Sequence, residues 1–274
     1  MSLSGKTLFI TGASRGIGRE IALRAARDGA NIVIAAKSAE AHPKLPGTIH
    51  TVAAEVEAAG GKALALQLDV RDELAVQAAM ARAAEHFGGI DALVNNAGAI
   101  KLLGVEQLEP KRFDLMFQIN TRAVMVCSQA ALPYLKKSAG GHILSLSPPL
   151  NLDAKWFAQH GPYSVTKYGM SMLTLGMSEE FKKYGISVNA LWPKTMIATA
   201  AIEFELGGRD AFKHARTPAI MADAAHAILG STGRSISGRL LIDEEILREQ
   251  GQSEFEQYRF DPDGGTLIPD LFLD

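Results

Sequence analysis

Leu8-Phe9-Ile10-Thr11-Gly12-Ala13-Ser14-Arg15-Gly16-Ile17-Gly18 is the stretch whose reading decides the fold. Leu8–Thr11 is a short apolar run ending in a glycine-rich turn, the pattern of a buried strand. Arg15–Asp28 has helical spacing, with Ile17, Ile21, Leu23 and Ala25 apolar and Gly29 as a stop. Between strand and helix each glycine has a use. Gly12 takes a tight turn that a side chain would obstruct. Gly16 lets the backbone come close to a pyrophosphate, and Gly18 lets the helix pack on the strand. Ser14, Arg15 and Ile17 complete a turn whose helix N-terminus offers N–H groups and partial positive charge to phosphate. The plain alternative is a glycine-rich turn with no ligand.

The rest of the chain repeats this alternation. Buried strands are predicted at Asn31–Ala36, Ala63–Val70, Ala92–Asn95, Gly141–Ser147, Ser187–Leu191 and Gly238–Ile242. Helices are predicted at Val52–Ala59, Glu73–Phe87, Arg112–Leu135, Tyr163–Tyr184 and Pro218–Leu229. Lys37–Thr48, with two prolines, reads as a loop. The pattern predicts an α/β fold: a Rossmann-like, doubly wound, parallel seven-stranded sheet flanked by helices, in a single domain. Residues 1–243 are expected to form a dinucleotide-binding catalytic domain. Residues 244–274 are expected to form a polar C-terminal extension packed on or continuing it.

Composition narrows the function. The 274 residues, 47% of them hydrophobic, can bury a sizeable core. A net charge of −2 supplies no basic field for nucleic acid. Cys127 is the only cysteine. That excludes an intrachain disulfide and a cysteine metal cluster, and makes a reducing cytoplasm the simplest home. No metal is expected. No apolar run approaches the roughly 20 residues of a membrane span. Met1–Lys6 lacks the layout of a signal peptide.

An acidic residue at the end of the second strand would hold the ribose 2′-hydroxyl of NAD. That place reads Ala35-Ala36-Lys37-Ser38, with no carboxylate. Lys37 and Arg15 instead suit a 2′-phosphate, which favours NADP. The alternative for both is an ordinary solvated cation. Asp69, closing the third strand, is placed to accept from an adenine amino group or to cap a helix. Tyr163 and Lys167 are four residues apart and share a helix face. An ammonium beside a phenol favours the phenolate and lowers its pKa from about 10. Such a tyrosine can exchange a proton with a carbonyl or alcohol while hydride moves to or from nicotinamide. Alone, this spacing also arises by chance in surface packing.

The glycine turn, Asn95-Asn96-Ala97-Gly98, Asn120 and Tyr163-x-x-x-Lys167 stand in the order and spacing of the short-chain dehydrogenase/reductase family. The chain resembles that family from about Lys6 to Ile242. Finer stretches resemble one branch of it: Ser147-Pro148-Pro149-Leu150-Asn151-Leu152, Asn189-Ala190-Leu191-Trp192-Pro193-Lys194-Thr195 and Asp270-Leu271-Phe272-Leu273-Asp274. Longer members of that branch continue into a sterol-carrier domain. The resemblance implies a nicotinamide cofactor and a homodimer or homotetramer, often built through the long helices. It casts Tyr163 as acid/base, Lys167 as holder of the nicotinamide ribose and Asn120 as anchor of a proton-relay water. It casts Asn95 as a buttress of the sheet and Ala97 and Gly98 as neighbours of the cofactor. Pro193, Ile197 and Thr199 would close over the nicotinamide and pyrophosphate.

Two departures from the family pattern bear on chemistry. The serine usual at the end of the fifth strand falls on Pro148. Ser147, one residue early, substitutes if the Pro-Pro that follows rotates the chain; Ser145 shares its alternation face. The glycine usual after Pro193 is Lys194. Lys194 narrows the nicotinamide side, contacts an acidic substrate, or points to solvent.

Trp156, Phe157 and Trp192 suit either an apolar substrate pocket or the core. His142 and His160 read as structural and Cys127 as inert core. The expected function is NADP(H)-dependent interconversion of a small-molecule carbonyl and a secondary alcohol. Fatty-acyl and steroid-like molecules are among the candidate substrates. The competing readings are a nicotinamide-nucleotide-binding protein with little or no catalysis, and an interaction module using the C-terminal extension.

Overall fold

Seven strands are found among the described residues: β1 Thr7–Thr11, β2 Asn31–Ala36, β3 Lys62–Gln67, β4 Ala92–Asn95, β5 His142–Ser145, β6 Ser187–Trp192 and β7 Leu240–Ile242. They pair in parallel as one sheet in the order β3-β2-β1-β4-β5-β6-β7. This computed structural model describes residues 2–42, 45–205 and 208–273. Met1, Pro43, Lys44, Leu206, Gly207 and Asp274 lie outside the described residues, including one proline of the expected loop and the last residue of the expected extension.

The helices are α1 Gly16–Ala26, α2 Ile49–Ala58, α3 Glu73–Phe87, α4 Pro110–Phe117, α5 Ala123–Leu135, α6 Lys155–Ala158, α7 Gly161–Glu180, α8 Ala200–Glu205, α9 Ala219–Leu229 and α10 Asp243–Glu249. Strand alternation sends successive side chains to opposite faces. Leu8 and Ile10 of β1, with Ile32 and Ile34 of β2, join the layer of α1, α2, α9 and α10. Phe9 and Val33 join the layer of α3, α5 and α7. The sheet is therefore buried on both faces, and its strands read as unbroken apolar runs.

Three expectations are corrected. The helix expected over Arg112–Leu135 is interrupted by a π turn at Gln118–Arg122, which separates α4 from α5 and buries Asn120. The strand expected to reach Ser147 ends at Ser145, and the one expected to reach Val70 ends at Gln67. The segment after Asp243, expected as a polar extension packed on or continuing the domain, begins with α10, whose Ile246 and Leu247 are buried beside α9.

Glu244 explains how this segment is held. It is buried in α10 and takes three cations: Lys194 at 2.9 Å, Arg216 at 2.8 Å and Arg248 at 2.8 Å. Lys194 thus neither reaches for a substrate nor points freely to solvent. Burial pushes the Glu244 carboxyl up, but hydrogen bonds from Lys194, Arg248 and Arg216 outweigh it and hold it at about 2. Its folded value lies below the unfolded one. Its contribution to stability is therefore present above the unfolded value and is lost as pH falls toward about 2. Glu244→Ala is expected to destabilise the fold by roughly 3 kcal/mol, because the buried Arg216 loses its partner. Urea unfolding of the variant checks this, and an unchanged midpoint contradicts it.

Candidate active site

The sheet order places β1 beside β4, where the chain direction of winding reverses. Two turns leave the sheet there. Thr11 and Asn96 stitch them together. The Thr11 hydroxyl accepts from the N–H groups of Asn96 and Ala97, both at 3.0 Å, and donates to Val94 O at 3.2 Å. The Asn96 amide donates to Thr11 O at 2.9 Å and Gly12 O at 3.0 Å. Gly12 has φ +68, and a Cβ on it would stand 2.8 Å from Ala97 Cα. A Cβ on Gly18 would collide with the Asn96 side chain. Gly18 thus allows α1 to pack against Asn96, a finer reason than helix-on-strand packing.

A cavity of about 440 Å³ opens over this turn. Gly12, Ser14, Arg15, Gly16 and Ile17 line one side of it. Lys37 and Asp69 line its far end, and Ala97, Gly98 and Thr199 line its near end. The start of α1 has no side-chain cap and no acidic residue in its first turn. By contrast Thr48 caps α2 and Asp72 caps α3. The uncapped N–H groups of α1 fit an anion such as a pyrophosphate. Arg15 lies across the end of β2, donating to Ser38 Oγ at 3.0 Å and to the carbonyls of Pro46 at 2.9 Å and Gly47 at 3.2 Å. Lys37 stands 3.3 Å from Asp69, which Arg71 also grips at 2.6 Å. The Arg71 hydrogen bonds hold the Asp69 carboxyl far below its ordinary value. Asp72, not Asp69, caps α3.

A second cavity of about 470 Å³ adjoins the first. Ile17, Asn96, Gly98 and Thr199 line both. Tyr163 and Lys167 project into it from α7, Asn120 from the π turn, and Pro193 and Ile197 from the chain after β6. Both amide hydrogens of Asn120 are used and its oxygen accepts once: Oδ1 accepts from Ala99 N at 2.8 Å, and Nδ2 donates to Ala99 O and Thr166 Oγ1, both at 2.9 Å. Lys167 Nζ donates to Leu146 O at 2.5 Å and sits 4.9 Å from the Trp192 ring centre. Burial decides the charges here. It holds the Tyr163 phenol well above its ordinary value, with the Asp270 charge adding to the effect. It pushes Lys167 down to about 7, with Asp270 opposing. The expectation that the ammonium lowers the phenol is thus corrected: desolvation outweighs it and disfavours both ionised forms.

Asn95 is buried, lines neither cavity and donates to Ser145 Oγ at 3.5 Å. Trp192 lines the second cavity, while Trp156 and Phe157 pack on Phe272 and Tyr168. His142 and His160 are buried, and burial lowers both. Burial pushes the Cys127 thiol up to about 12, so it is inert.

Ser147 is a correction. After β5 its N–H turns back to Ser145 O at 3.0 Å, a tight turn centred on Leu146. Leu146 faces the second cavity as a result, and Ser147 does not line it. The Ser147 hydroxyl is buried with no hydrogen-bond partner among the described residues. Sequence reading also missed Thr11, Asn96 and Asp270. Asn96 was legible only as part of its motif. Asp270 lines the second cavity from the C-terminal segment, where only its resemblance to other chains marked it.

Residues 6–205 match the short chain dehydrogenase family, and the chain belongs to that family. The chain is similar to Hydroxysteroid dehydrogenase-like protein 2 of Xenopus laevis, 58% identical over 272 residues, covering 99% of this chain and 64% of that protein. The Homo sapiens protein of the same name is 56% identical over 272 residues, with the same coverage. The chain thus spans 64% of the length of these relatives. A crystal structure of a short chain dehydrogenase from Mycobacterium thermoresistibile is 48% identical, with a TM-score of 0.94, covering 100% of this chain and 96% of that one. A short chain dehydrogenase from Burkholderia cenocepacia J2315, solved in complex with NADP, is 33% identical, with a TM-score of 0.75, covering 88% of this chain and 97% of that one. NAD-bound structures at 23% and 22% identity share the fold alone.

Ser147→Ala is expected to leave turnover within about twofold and to keep or raise stability by up to about 1 kcal/mol, because a buried hydroxyl without a partner carries a desolvation cost. Steady-state kinetics and thermal unfolding check this. A large fall in kcat would restore Ser147 to the reaction.

Proposed function

We propose that the chain is an NADP(H)-dependent oxidoreductase that interconverts a carbonyl and a secondary alcohol. One observation carries the reading. The cavity over the uncapped α1 and the cavity of Tyr163 and Lys167 share Ile17, Asn96, Gly98 and Thr199 as a common wall. A dinucleotide with its pyrophosphate at the first cavity would bring its nicotinamide to the second. When bound, that group supplies or accepts the hydride.

The chain's own residues do the rest. Gly12, Gly16 and the first N–H groups of α1 bind phosphate; Ser14, Ile17, Ala97 and Gly98 shape the passage between the cavities. Lys167 holds the nicotinamide ribose, in place of Leu146 O. Asn120, held by Ala99 and Thr166, fixes the wall opposite α7 and anchors a proton-relay water. Pro193, Ile197 and Thr199 cover the nicotinamide side. Tyr163 stays protonated in the free protein, which suits it to give a proton to a carbonyl oxygen as that oxygen gains charge. Arg15, Lys37 and Ser38 at the end of β2 favour a 2′-phosphate, and the NADP-bound relative supports that choice.

The second cavity is walled mainly by apolar side chains, including Ile100, Trp192, Met196 and Leu271. A fatty-acyl or steroid-like substrate suits that lining. Exposed Met125 on α5 and Val165, Met172 and Leu175 on α7 support a homodimer or homotetramer through the long helices. A binding protein with little catalysis is the second reading, favoured by the position of Ser147.

NADPH titration followed by a panel of acetophenone, cyclohexanone and decanal separates the two readings. Tyr163→Phe is expected to lower kcat at least roughly a hundredfold with NADPH affinity unchanged. Tight binding with no Tyr163-dependent turnover contradicts the enzyme reading. Lys37→Asp is expected to cut the preference for NADPH over NADH by roughly tenfold or more, since a charge-assisted contact is lost. An unchanged ratio refutes the use of Lys37.

A further inference from the structure

The Tyr163 cavity holds a carboxyl as well as the phenol and the ammonium. Asp270 arrives from the C-terminal segment. Its N–H donates to Lys194 O at 3.1 Å, and the neighbouring Met196 N–H donates to Ile268 O at 2.9 Å. Leu271 O accepts from Trp192 Nε1 at 3.0 Å. Phe272 is buried with φ +73, a left-handed conformation that is costly for a bulky residue. Its ring stacks on Tyr163 at 6.4 Å and packs on Tyr168 at 5.1 Å and Trp192 at 5.9 Å. That packing holds the strained residue in place, and with it the Asp270 backbone two residues before.

Asp270 Oδ1 accepts from the Leu271 N–H at 2.7 Å. Oδ2 has no hydrogen-bond partner among the described residues. The charged and titratable groups near it are Tyr163 and Lys167 on α7 and Asp243 at the start of α10. Arg216 and Glu244 act on Asp243 from behind. Burial raises the Asp270 carboxyl, against the Leu271 N–H. Asp243 adds to the rise and Lys167 opposes it, and the group stands at about 7. A carboxyl that keeps its proton near neutral pH can donate a hydrogen bond, as ionised carboxylates cannot. Ser147 does not line the same cavity.

We propose that Asp270, protonated, donates the second hydrogen bond to the substrate oxygen, beside Tyr163, and takes the role expected of Ser147. The inference rests on the carbonyl–alcohol reading above. In reduction, the hydride that reaches the carbonyl carbon would be supplied by a bound nicotinamide dihydronucleotide. The carbonyl π pair moves to oxygen, which takes the Tyr163 proton. Asp270 keeps its proton throughout and only stabilises the charge on oxygen.

The test follows kcat/KM for the best ketone or aldehyde of the panel from about pH 5 to about pH 9, with NADPH. In the wild type kcat/KM is expected to fall as pH rises through about 7, as the donating form is lost. Lys167 titrates in the same range, so variants must separate the two. Asp270→Asn keeps a donor of the same size but does not ionise. Its profile is expected to lose that fall and to exceed the wild type at high pH. Asp270→Leu is expected to lower kcat/KM roughly a hundredfold at low pH, with NADPH affinity unchanged. Independently of turnover, ¹³C NMR of the free protein should show a carboxyl carbon titrating near 7 that is missing in Asp270→Asn. Wild-type kcat/KM in Asp270→Leu, equal impairment in both variants, or an ordinary aspartate midpoint overturns the donor role alone. An inactive wild type whose Asp270 titrates near 7 overturns the carbonyl reading, and the donor role with it.

Discussion

The Asn96 side chain is the contact on which the site depends. Its amide ties Thr11 O and Gly12 O of the first turn to the turn after β4, and Thr11 returns two hydrogen bonds. The crevice between these turns is therefore a fixed width. Both cavities open from it and share Asn96 as a wall. Gly12 and Gly18 are small because Asn96 and Ala97 occupy the space a side chain would need. The glycine pattern is thus as much a packing requirement of this seam as a device for phosphate.

The opposite side of the site is made by the far end of the chain. Glu244 gathers Lys194, Arg216 and Arg248 and anchors α10 to the segment after β6. The chain then returns along Lys194 and Met196 to bring Phe272 against Tyr163. This closure makes the cavity apolar and desolvates Tyr163 and Lys167. The same burial that keeps the tyrosine protonated keeps the lysine easily deprotonated. Charge in this cavity is scarce, so each polar group that faces it bears on the proposed reaction.

Most of the sheet was legible because burial on both faces turns each strand into an apolar run. Asn31–Ala36 and Ala92–Asn95 carry that signal without interruption. The π turn at Gln118–Arg122 was not legible, since its residues have ordinary helical character and only the register of hydrogen bonds differs. Ser147 was misplaced because the chain was expected to rotate at the Pro-Pro after it, whereas the turn comes one residue before it, at Leu146. The C-terminal segment hid its role for another reason. Its polar residues, prolines and glycines suggest a tail, while its hold on the fold comes from long-range partners such as Lys194 and Trp192. Tyr163 and Lys167 were visible by spacing, but their charge states depend on burial that spacing does not express.

A crystal structure of the protein with NADP tests the central claim most directly. The account predicts one dinucleotide running through both cavities, with its pyrophosphate at the start of α1 and its nicotinamide beside the Tyr163 hydroxyl. A nucleotide bound elsewhere, or a nicotinamide turned away from Tyr163, would contradict it.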